Sequence, residues 1–388
     1  MIPALFVTHE ESLADGGGGQ QVCSREYFEA LQLGGFDLTC VRFGTDRRFL
    51  TRVRRKLYPR PYHDHFDPVL LDRIIEAARI NSPEFVFLNL NDLIPLGRAL
   101  RRNLTQNIKL VLLSHGLASV DEVHAVRIAE SDNGLRGAHR NWNNVGAMLQ
   151  LEAVELSAFD HVFCLAPFEA EICRWLGAKS VSAVPRSVVP TILDWKPSGN
   201  RLGFIGTMSH PPNEEGFWLF LREFESLANG VVRIRLISRS EEVCKAAASK
   251  YPFVDYLGAI EDESRLREEV STWNAFIHPL FCYAMGCSTK VSVVLAWGIP
   301  LLTTPAGIRG YEFMNHKLTT VATPKEMALK ALDLLDRTNA EAARKEVIGI
   351  LASAPSLEEI GAEMIRALGR QPINSVPITD SKIALVNG

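Results

Sequence analysis

Short apolar runs alternate with amphipathic segments along almost the whole chain. Nearly continuous apolar runs of this length, separated by helical patterns, are typical of parallel strands that helices cover on both faces. The pattern therefore predicts an α/β protein with two Rossmann-like, doubly wound units. The runs are IPALFVT, FDLTCVRF, FVFLNL, IKLVLLS, HVFCLA and KSVSAVP in the first half, and RLGFIG, VVRIRLIS, FVDYLGAI, NAFIHPL, IPLLTT and KLTTVAT in the second.

A break in this alternation at residues 186–200, RSVVPTILDWKPSGN, predicts the boundary between the two units. Two prolines and a Ser-Gly-Asn sequence interrupt the pattern there. We therefore expect an N-terminal domain over residues 1–190, a C-terminal domain over 201–370 and a tail over 371–388. The chain has 388 residues, which is enough for two domains of ordinary size.

Charge and cysteine content narrow the class of protein. The formal net charge of -3 argues against nucleic acid as the main partner. The 7 cysteines are scattered without a Cys-x-x-Cys pair, which favours a reducing compartment such as the cytoplasm over a disulfide framework or a zinc site. No apolar run is long enough to span a membrane, and the N-terminus lacks the basic region of a signal peptide.

The stretch from Asn274 to Gly310 carries the most informative chemistry. An apolar run leads into a loop with Ser288 and Thr289, and an apolar helix then runs from Lys290 to a stop at Gly298. Such a loop binds anions well, because main-chain amides and the positive end of the helix dipole face the ligand. Lys290 adds a full positive charge. An ordinary strand–helix crossover with a solvated lysine agrees equally well with the residues alone.

Two polar loops in the N-terminal half also follow predicted strands. Four glycines, Gly16–Gly19, would let the backbone approach a ligand closely, although a flexible linker is the alternative. His115 stands in a Ser-His-Gly sequence after the strand IKLVLLS, and ligands bind at the carboxyl ends of strands in open α/β sheets. We expect this histidine to contact a ligand or handle a proton, with a structural role as the alternative.

Residues 46–62, DRRFLTRVRRKLYPRPY, form a basic segment with apolar residues between the arginines. A segment of this kind can contact an anionic membrane surface or an anionic acceptor. A solvated surface helix is the alternative.

These features together resemble the GT-B glycosyltransferases, specifically their large family 4 group. The resemblance covers roughly residues 2–370 and implies two Rossmann-like domains that face each other across a cleft, with the acceptor side in the first and the nucleotide-sugar donor in the second. It is carried by GFIGTMSHPPNEEGFWLF, FVDYLGAIEDESRLREEVSTWNAFIHPL, GCSTKVSVVLAWGIPLLTTPAGIRGY, GGGGQQ, SHG and CLAPFEAEICRWLGAKSVSAVPRSV.

The resemblance also implies a reaction and a set of site residues. A sugar would pass from a nucleotide-sugar donor to a hydroxyl of a glycan, lipid-linked or other acceptor, with retention and without a metal or other cofactor. Lys290 would neutralise the charge that builds on the leaving diphosphate, and His115 would touch the donor sugar. The implied donor-binding residues are Gly17, Gly18, Gly19, Gly206, Thr207, Asn213, Ser288 and Thr289.

The chain departs from the family pattern in the donor half. Met285 and Val293 stand where relatives carry a pair of glutamates, one of which clamps the ribose. An Arg–Lys pair after the first strand of this half is also missing. We predict Arg239, in LISRS, as a substitute phosphate contact. The departures leave the nucleotide base, the donor sugar and the acceptor open.

Two other functions remain open at this point. A sugar-nucleotide 2-epimerase would share the architecture and would need carboxylates at the sugar, for which Glu10, Glu11 and Asp15 are the candidates. A non-catalytic homologue that binds a glycan or a partner enzyme would agree with the missing glutamates. The leading expectation is a cytoplasmic transferase with peripheral contact to the inner face of the membrane through residues 46–62.

Overall fold

The computed structural model contains two compact units, each built around its own all-parallel sheet. This confirms the predicted α/β class with two parallel sheets. The described residues are 1–14, 18–45, 49, 53, 62, 69–131, 142–228 and 230–372. Asp15, Gly17, most of the basic segment 46–62 and the chain from 373 onward lie outside them.

The first sheet has six parallel strands in the order β2-β1-β3-β4-β5-β6. The central strand Phe85–Asn89 is buried along its whole length because helices cover both faces of the sheet, as the apolar runs predicted. Its strands are β1 (Ile2–His9), β2 (Phe36–Phe43), β3 (Phe85–Asn89), β4 (Lys109–Leu113), β5 (His161–Cys164) and β6 (Val181–Ala183).

Helices connect these strands by crossovers, as parallel neighbouring strands require. A 3-10 turn, Asn91–Leu96, precedes one of them. The helices are α1 (Gly19–Leu33), α2 (Leu70–Asn81), α3 (Gly97–Asn103), α4 (Ala118–Ser131), α5 (Trp142–Leu156) and α6 (Pro167–Trp175).

The second sheet has five parallel strands in the order β11-β10-β7-β8-β9. Its strands are β7 (Arg201–Ile205), β8 (Arg233–Ile237), β9 (Val254–Tyr256), β10 (Ala275–His278) and β11 (Leu301–Thr303). The helices that follow in the chain are α7 (Pro211–Glu225), α8 (Glu241–Lys250), α9 (Glu263–Ser271), α10 (Thr289–Trp297), α11 (Pro324–Asp333), α12 (Arg337–Leu351) and α13 (Leu357–Ala367).

Two glycines shape the helices α7 and α10 of the second unit. A Cβ atom at Gly216 would lie 1.8 Å from the carbonyl oxygen of Pro279, so only glycine lets α7 approach the carboxyl end of β10. Gly298 has a φ of 64° and ends α10 in a left-handed cap, as the sequence predicted. Gly216 thereby holds the first turns of α7 beside the carboxyl end of β10.

The structure corrects three expectations about elements and boundaries. The predicted strand KLTTVAT is a single bridge between Thr303 and Thr320. Helix α4 was not predicted. Helix α13 belongs to the first unit, although the sequence assigned it to the second, because Gly361 packs directly on the Ala30 carbonyl of α1. The chain passes from the first unit to the second between Ser187 and Val188, inside the predicted boundary segment 186–200.

Among the described residues, no helix is both long enough and apolar enough to cross a membrane.

Candidate functional site

Four of the predicted site residues meet at the carboxyl end of the second sheet, and we call them the Lys290 site: Gly206, Thr207, Asn213 and Lys290. Lys290 lies in the first turn of α10, and its Nζ is 3.5 Å from Oδ1 of Asn213 in the first turn of α7. The amide Nδ2 of Asn213 donates to the carbonyl oxygen of Thr207 at 2.9 Å. This second bond orients the side-chain oxygen of Asn213 toward the ammonium.

Gly206 provides the space through which the Lys290 side chain passes. A Cβ atom at residue 206 would lie 2.2 Å from Cε of Lys290, well inside van der Waals contact. The ammonium also lies 5.9 Å from the ring centroid of Phe204, within cation–π range. The glycine after β7 and the aromatic residue within β7 therefore fix the path of the lysine.

The charge of Lys290 has no carboxylate partner among the described residues. The side chain is half-buried. Burial, with a smaller contribution from the positive charge of Arg309, lowers the pKa of Lys290 from 10.5 to about 8. A cation held in this way favours a bound anion, because the Coulomb attraction of the anion compensates for the hydration that the buried ammonium has lost.

Next to this lysine, a hydrogen-bonded chain joins Ser288, His278 and Thr303. The hydroxyl of Thr303 donates to the carbonyl oxygen of His278 at 3.3 Å, so its oxygen accepts from Nδ1 of His278 at 3.0 Å. Nε2 then carries the lone pair and accepts from the hydroxyl of Ser288 at 3.0 Å. The hydroxyl proton of Ser288 is thus committed to the imidazole, and an anion would meet this residue through its main chain.

His278 stays neutral in this arrangement. Burial foremost, and then the positive charges of Lys290 and Arg309, hold the pKa of His278 well below its usual range. Gly307 is also needed, because a Cβ atom there would lie 2.1 Å from Oγ1 of Thr303.

The buried guanidinium of Arg309 fixes the loop that precedes α10. It donates to the carbonyl oxygens of Ala284 at 2.7 Å and of Met285 and Ala306 at 3.0 Å each. The hydroxyl of Tyr311 donates to the carbonyl oxygen of Ser288 at 2.7 Å. No role for Arg309 or His278 was predicted from the sequence. A charged residue inside the turn PAGIRG and a histidine at the end of an apolar strand were the available indications.

The predicted His115 lies in the first unit, at the end of β4. Its Nε2 is 2.8 Å from Oδ1 of Asn89, whose amide nitrogen donates to Oγ1 of Thr8 and Oγ of Ser24. Since the amide nitrogen is used as a donor, Nε2 of His115 carries the proton and Nδ1 carries the lone pair. That Nδ1 atom is buried and has no hydrogen-bond partner among the described residues.

The imidazole of His115 is neutral as well. Burial, and to a lesser degree the charge of Arg186, lower the pKa of His115 from 6.5 to about 3. The group therefore accepts a hydrogen bond from a ligand hydroxyl and is unsuited to bind an anion.

Helix α4 begins at Ala118, three residues after His115, and internal acceptors already occupy its first amides. The main-chain N–H of Ala118 donates to the hydroxyl of Tyr62 at 3.0 Å, and that of Ser119 donates to Oε1 of Glu152 at 3.1 Å. Burial raises the pKa of Glu152. Consequently this helix terminus presents the His115 imidazole, rather than open amides, to a ligand.

The other predicted residues have varied surroundings. Arg239 makes a bidentate ion pair with Glu261 at 2.7 and 3.0 Å, and both side chains are largely exposed. No contact joins Arg239 to the Lys290 site among the described residues. Gly18 is the N-cap of α1, where its N–H donates to Oε1 of Gln21 at 3.0 Å, and Gly19 begins that helix. Gly17 lies outside the described residues.

The two positions that depart from the family pattern carry no acidic group in the structure. Val293 is 37% exposed on α10, one turn after Lys290. Met285 contributes its carbonyl oxygen to Arg309. No ribose-clamping carboxylate is present at either position.

In the part of the chain that the structure describes, no group of three or more His, Cys, Asp or Glu side chains is arranged to hold a metal ion.

Part of the chain matches a known protein family. Residues 199–337, which contain the Lys290 site, match the family model of the glycosyl transferases group 1. No curated protein sequence matches the chain significantly.

Solved structures of glycosyltransferases share the fold of most of the chain. Sucrose-phosphate synthase from Thermosynechococcus elongatus is 16% identical, with a TM-score of 0.65 over 95% of this chain and 98% of that one. A lipopolysaccharide outer core galactosyltransferase is 11% identical, with a TM-score of 0.60 over 95% and 99% of the two chains. The pneumococcal O-GlcNAc transferase GtfA, in complex with UDP and GlcNAc, is 11% identical, with a TM-score of 0.54 over 77% of this chain and 59% of that one.

Because these sequence identities are low, the structural similarity shows only the fold. The match to the family model indicates the class of reaction. The C-terminal unit therefore carries a glycosyl transferases group 1 domain, and the protein is a glycosyltransferase of the GT-B fold.

Proposed function

We propose that the protein transfers a sugar from a nucleotide-sugar donor whose diphosphate binds at the N-terminus of α10. The observation that carries this proposal is the half-buried ammonium of Lys290, which has no carboxylate partner among the described residues. Asn213 and Gly206 hold that ammonium beside the helix N-terminus, so a full charge and a helix dipole act at one place.

The same arrangement suits the bond that has to break. As the anomeric carbon separates from the diphosphate oxygen, negative charge grows on the leaving diphosphate. The ammonium of Lys290 and the first amides of α10 are preorganised to stabilise that charge, so the reaction proceeds without a metal ion. The attacking group is a hydroxyl of the acceptor, and we propose that the anomeric configuration is retained.

His115 supplies the contact to the donor sugar in this proposal. Its Nδ1 lone pair accepts a hydrogen bond from a sugar hydroxyl, which satisfies an otherwise unpaired buried atom. Because Asn89 fixes the tautomer, the ring presents an acceptor at any pH well above 3.

The acceptor is a hydroxyl of a glycan or of a lipid-linked glycan. Support comes from the galactosyltransferase and the O-GlcNAc transferase that share the fold. We further propose that the protein acts in the cytoplasm and that residues 46–62 contact the inner face of the membrane or an anionic acceptor. UDP-sugars are the first donors to test, since UDP is bound to the pneumococcal transferase.

The release of nucleoside diphosphate from a panel of nucleotide sugars, with and without acceptor glycans, tests the proposed function. Donors are first ranked by thermal shift, because a ligand that binds only the folded protein raises its stability. Acceptor-dependent release of nucleoside diphosphate is the expected result. Interconversion of free nucleotide sugars would instead indicate an epimerase.

Binding without any turnover across the panel would indicate a non-catalytic homologue. The apolar residues Met285 and Val293 favour this second candidate over the epimerase, because the missing glutamates affect nucleotide binding and turnover.

A further inference from the structure

The N-cap of α10 is occupied by a serine that does not cap its helix. Ser288 has the extended backbone of an N-cap residue, with φ -84° and ψ 110°, yet its side chain makes no capping hydrogen bond. Serine at this position ordinarily accepts from the second or third amide of the helix. Its hydroxyl instead donates to Nε2 of His278 at 3.0 Å.

We propose that His278 is a positioning residue that draws the Ser288 hydroxyl away from the helix and so keeps the N-terminus of α10 open for the donor diphosphate. The inference rests on the proposed function, because it concerns the same anion-binding terminus. His278 need not touch the donor, since it acts through Ser288.

The hydrogen bonds of the His278 imidazole determine which of its nitrogens donates and which accepts. Thr303 accepts from Nδ1, and its own proton goes to the main-chain oxygen of His278. Only Nε2 is left as an acceptor, and the hydroxyl of Ser288 is its partner. Gly307 keeps the space around Nδ1 and Thr303 clear, since a Cβ atom there would also lie 2.8 Å from Nδ1.

The amides at the helix terminus are available as a result. The structure records no acceptor for the main-chain N–H groups of Thr289 and Lys290 among the described residues. These amides and the Lys290 ammonium lie in the same helical turn, so an anion can meet them together. A capping hydroxyl would compete with the anion for one of these amides.

Binding of inorganic pyrophosphate to the full chain, measured by calorimetry, tests the proposal. In His278→Ala the freed hydroxyl caps the helix, and we expect pyrophosphate affinity to fall about five-fold, the equivalent of one N-cap. Thr303→Val removes the acceptor that sets the tautomer and is expected to give a similar loss with little change in volume. His278→Gln keeps an acceptor oxygen near the Nε2 position and is expected to retain the affinity.

The decisive comparison is made in a Ser288→Ala background, where no hydroxyl can cap the helix. There, adding His278→Ala or Thr303→Val is expected to cause no further loss, whereas a purely structural histidine would weaken binding equally in both backgrounds. His161→Ala, which removes another buried imidazole from β5 of the first unit, serves as the matched control and is expected to bind like the wild type.

Equal losses of pyrophosphate affinity with and without the Ser288 hydroxyl would overturn the role of His278, and so would a loss of affinity in the His161 control. The proposed function would remain in either case, provided that the wild-type protein binds pyrophosphate. If the wild-type protein does not bind pyrophosphate, the proposed diphosphate site fails and the role of His278 fails with it.

Discussion

The side chain of Lys290 occupies the space that a side chain at Gly206 would need, because the Cε atom of the lysine lies next to the position of a Cβ atom at residue 206. The distance from Cε to an added Cβ atom would be 2.2 Å. The two residues lie far apart in the chain, with the strands β8, β9 and β10 between them. The position of Lys290 in α10 therefore requires a glycine at residue 206, directly after β7.

Gly206→Ala is expected to displace the Lys290 ammonium without unfolding the protein. The clash falls on the far end of a flexible side chain, so the lysine moves and the backbone stays. A displacement of about 1 Å at a charge contact lowers turnover by roughly 10²-fold. Transfer rates and thermal unfolding of the variant measure both effects.

The matched control is Gly349→Ala in α12, where an added Cβ atom meets nothing within 4 Å. It should leave transfer unchanged and favour its helix slightly. A Gly206→Ala protein with wild-type turnover would show that the position of Lys290 does not matter.

Diphosphate binding is expected to weaken as the pH rises from about 7 to about 9. The pKa of Lys290 is about 8 in the free protein, so the ammonium loses its proton over this range. A bound anion favours the charged form, and linkage therefore requires that deprotonation weakens binding. Calorimetric titrations with a nucleoside diphosphate at several pH values measure the slope.

Lys290→Arg is the control for this pH dependence, because an arginine stays charged throughout the range. Its affinity should be nearly constant between the same pH values. A wild-type affinity as flat as that of the variant would contradict the assignment of Lys290 as the titrating group.

The His115 ring is expected to stay in one neutral tautomer from about pH 5 to about pH 8. Burial lowers its pKa to about 3, and Asn89 accepts from Nε2. Nitrogen-15 spectra of histidine-labelled protein should show a protonated Nε2 with no titration in this range. His115→Ala should lower transfer, and near-normal activity in that variant would show that the residue is structural.

Arg186 is expected to stabilise the first unit strongly. Its fully buried guanidinium forms a bidentate pair with Glu26, with both N–O distances 2.6 Å. Arg186→Ala leaves the carboxylate without this partner and should cost about 3 kcal/mol of unfolding free energy. Urea denaturation measures the change.

Arg79→Ala provides the comparison for this ion pair, since Arg79 and Glu76 are both largely exposed. That variant should unfold like the wild type, because exposed pairs contribute little. Equal stability of the Arg186 and Arg79 variants would contradict the role given to the buried pair.

The strands and the fold class could be predicted because the apolar pattern of each strand lies within one short stretch of the sequence. Each apolar run of five or so residues reports its own burial in a parallel sheet. The strand prediction for the run KLTTVAT was wrong, because this run pairs with β11 only through Thr320. Helix α4 was missed because its N-terminus is stabilised by Tyr62 and Glu152, which lie far away in sequence.

The Lys290 site was predicted in part for a similar reason. A hydroxylic loop before a helix, with a lysine in its first turn, is visible in the sequence, and Asn213 and Gly206 came from the resemblance. Pairings between distant residues are not visible in this way. The ion pair of Arg239 with Glu261 and the bonds of His278 to Ser288 and Thr303 both depend on how separate strands and loops are brought together.

The role of Lys290 is tested most directly by the rate of nucleoside diphosphate release in Lys290→Ala, with the donor that stabilises the wild-type protein most. The control is Lys245→Ala, since Lys245 is exposed and pairs with Glu241 on α8. We expect the Lys290 variant to lose a factor of about 10²–10³ in turnover while the control keeps its rate. Wild-type turnover in Lys290→Ala would show that this lysine does not stabilise the leaving diphosphate.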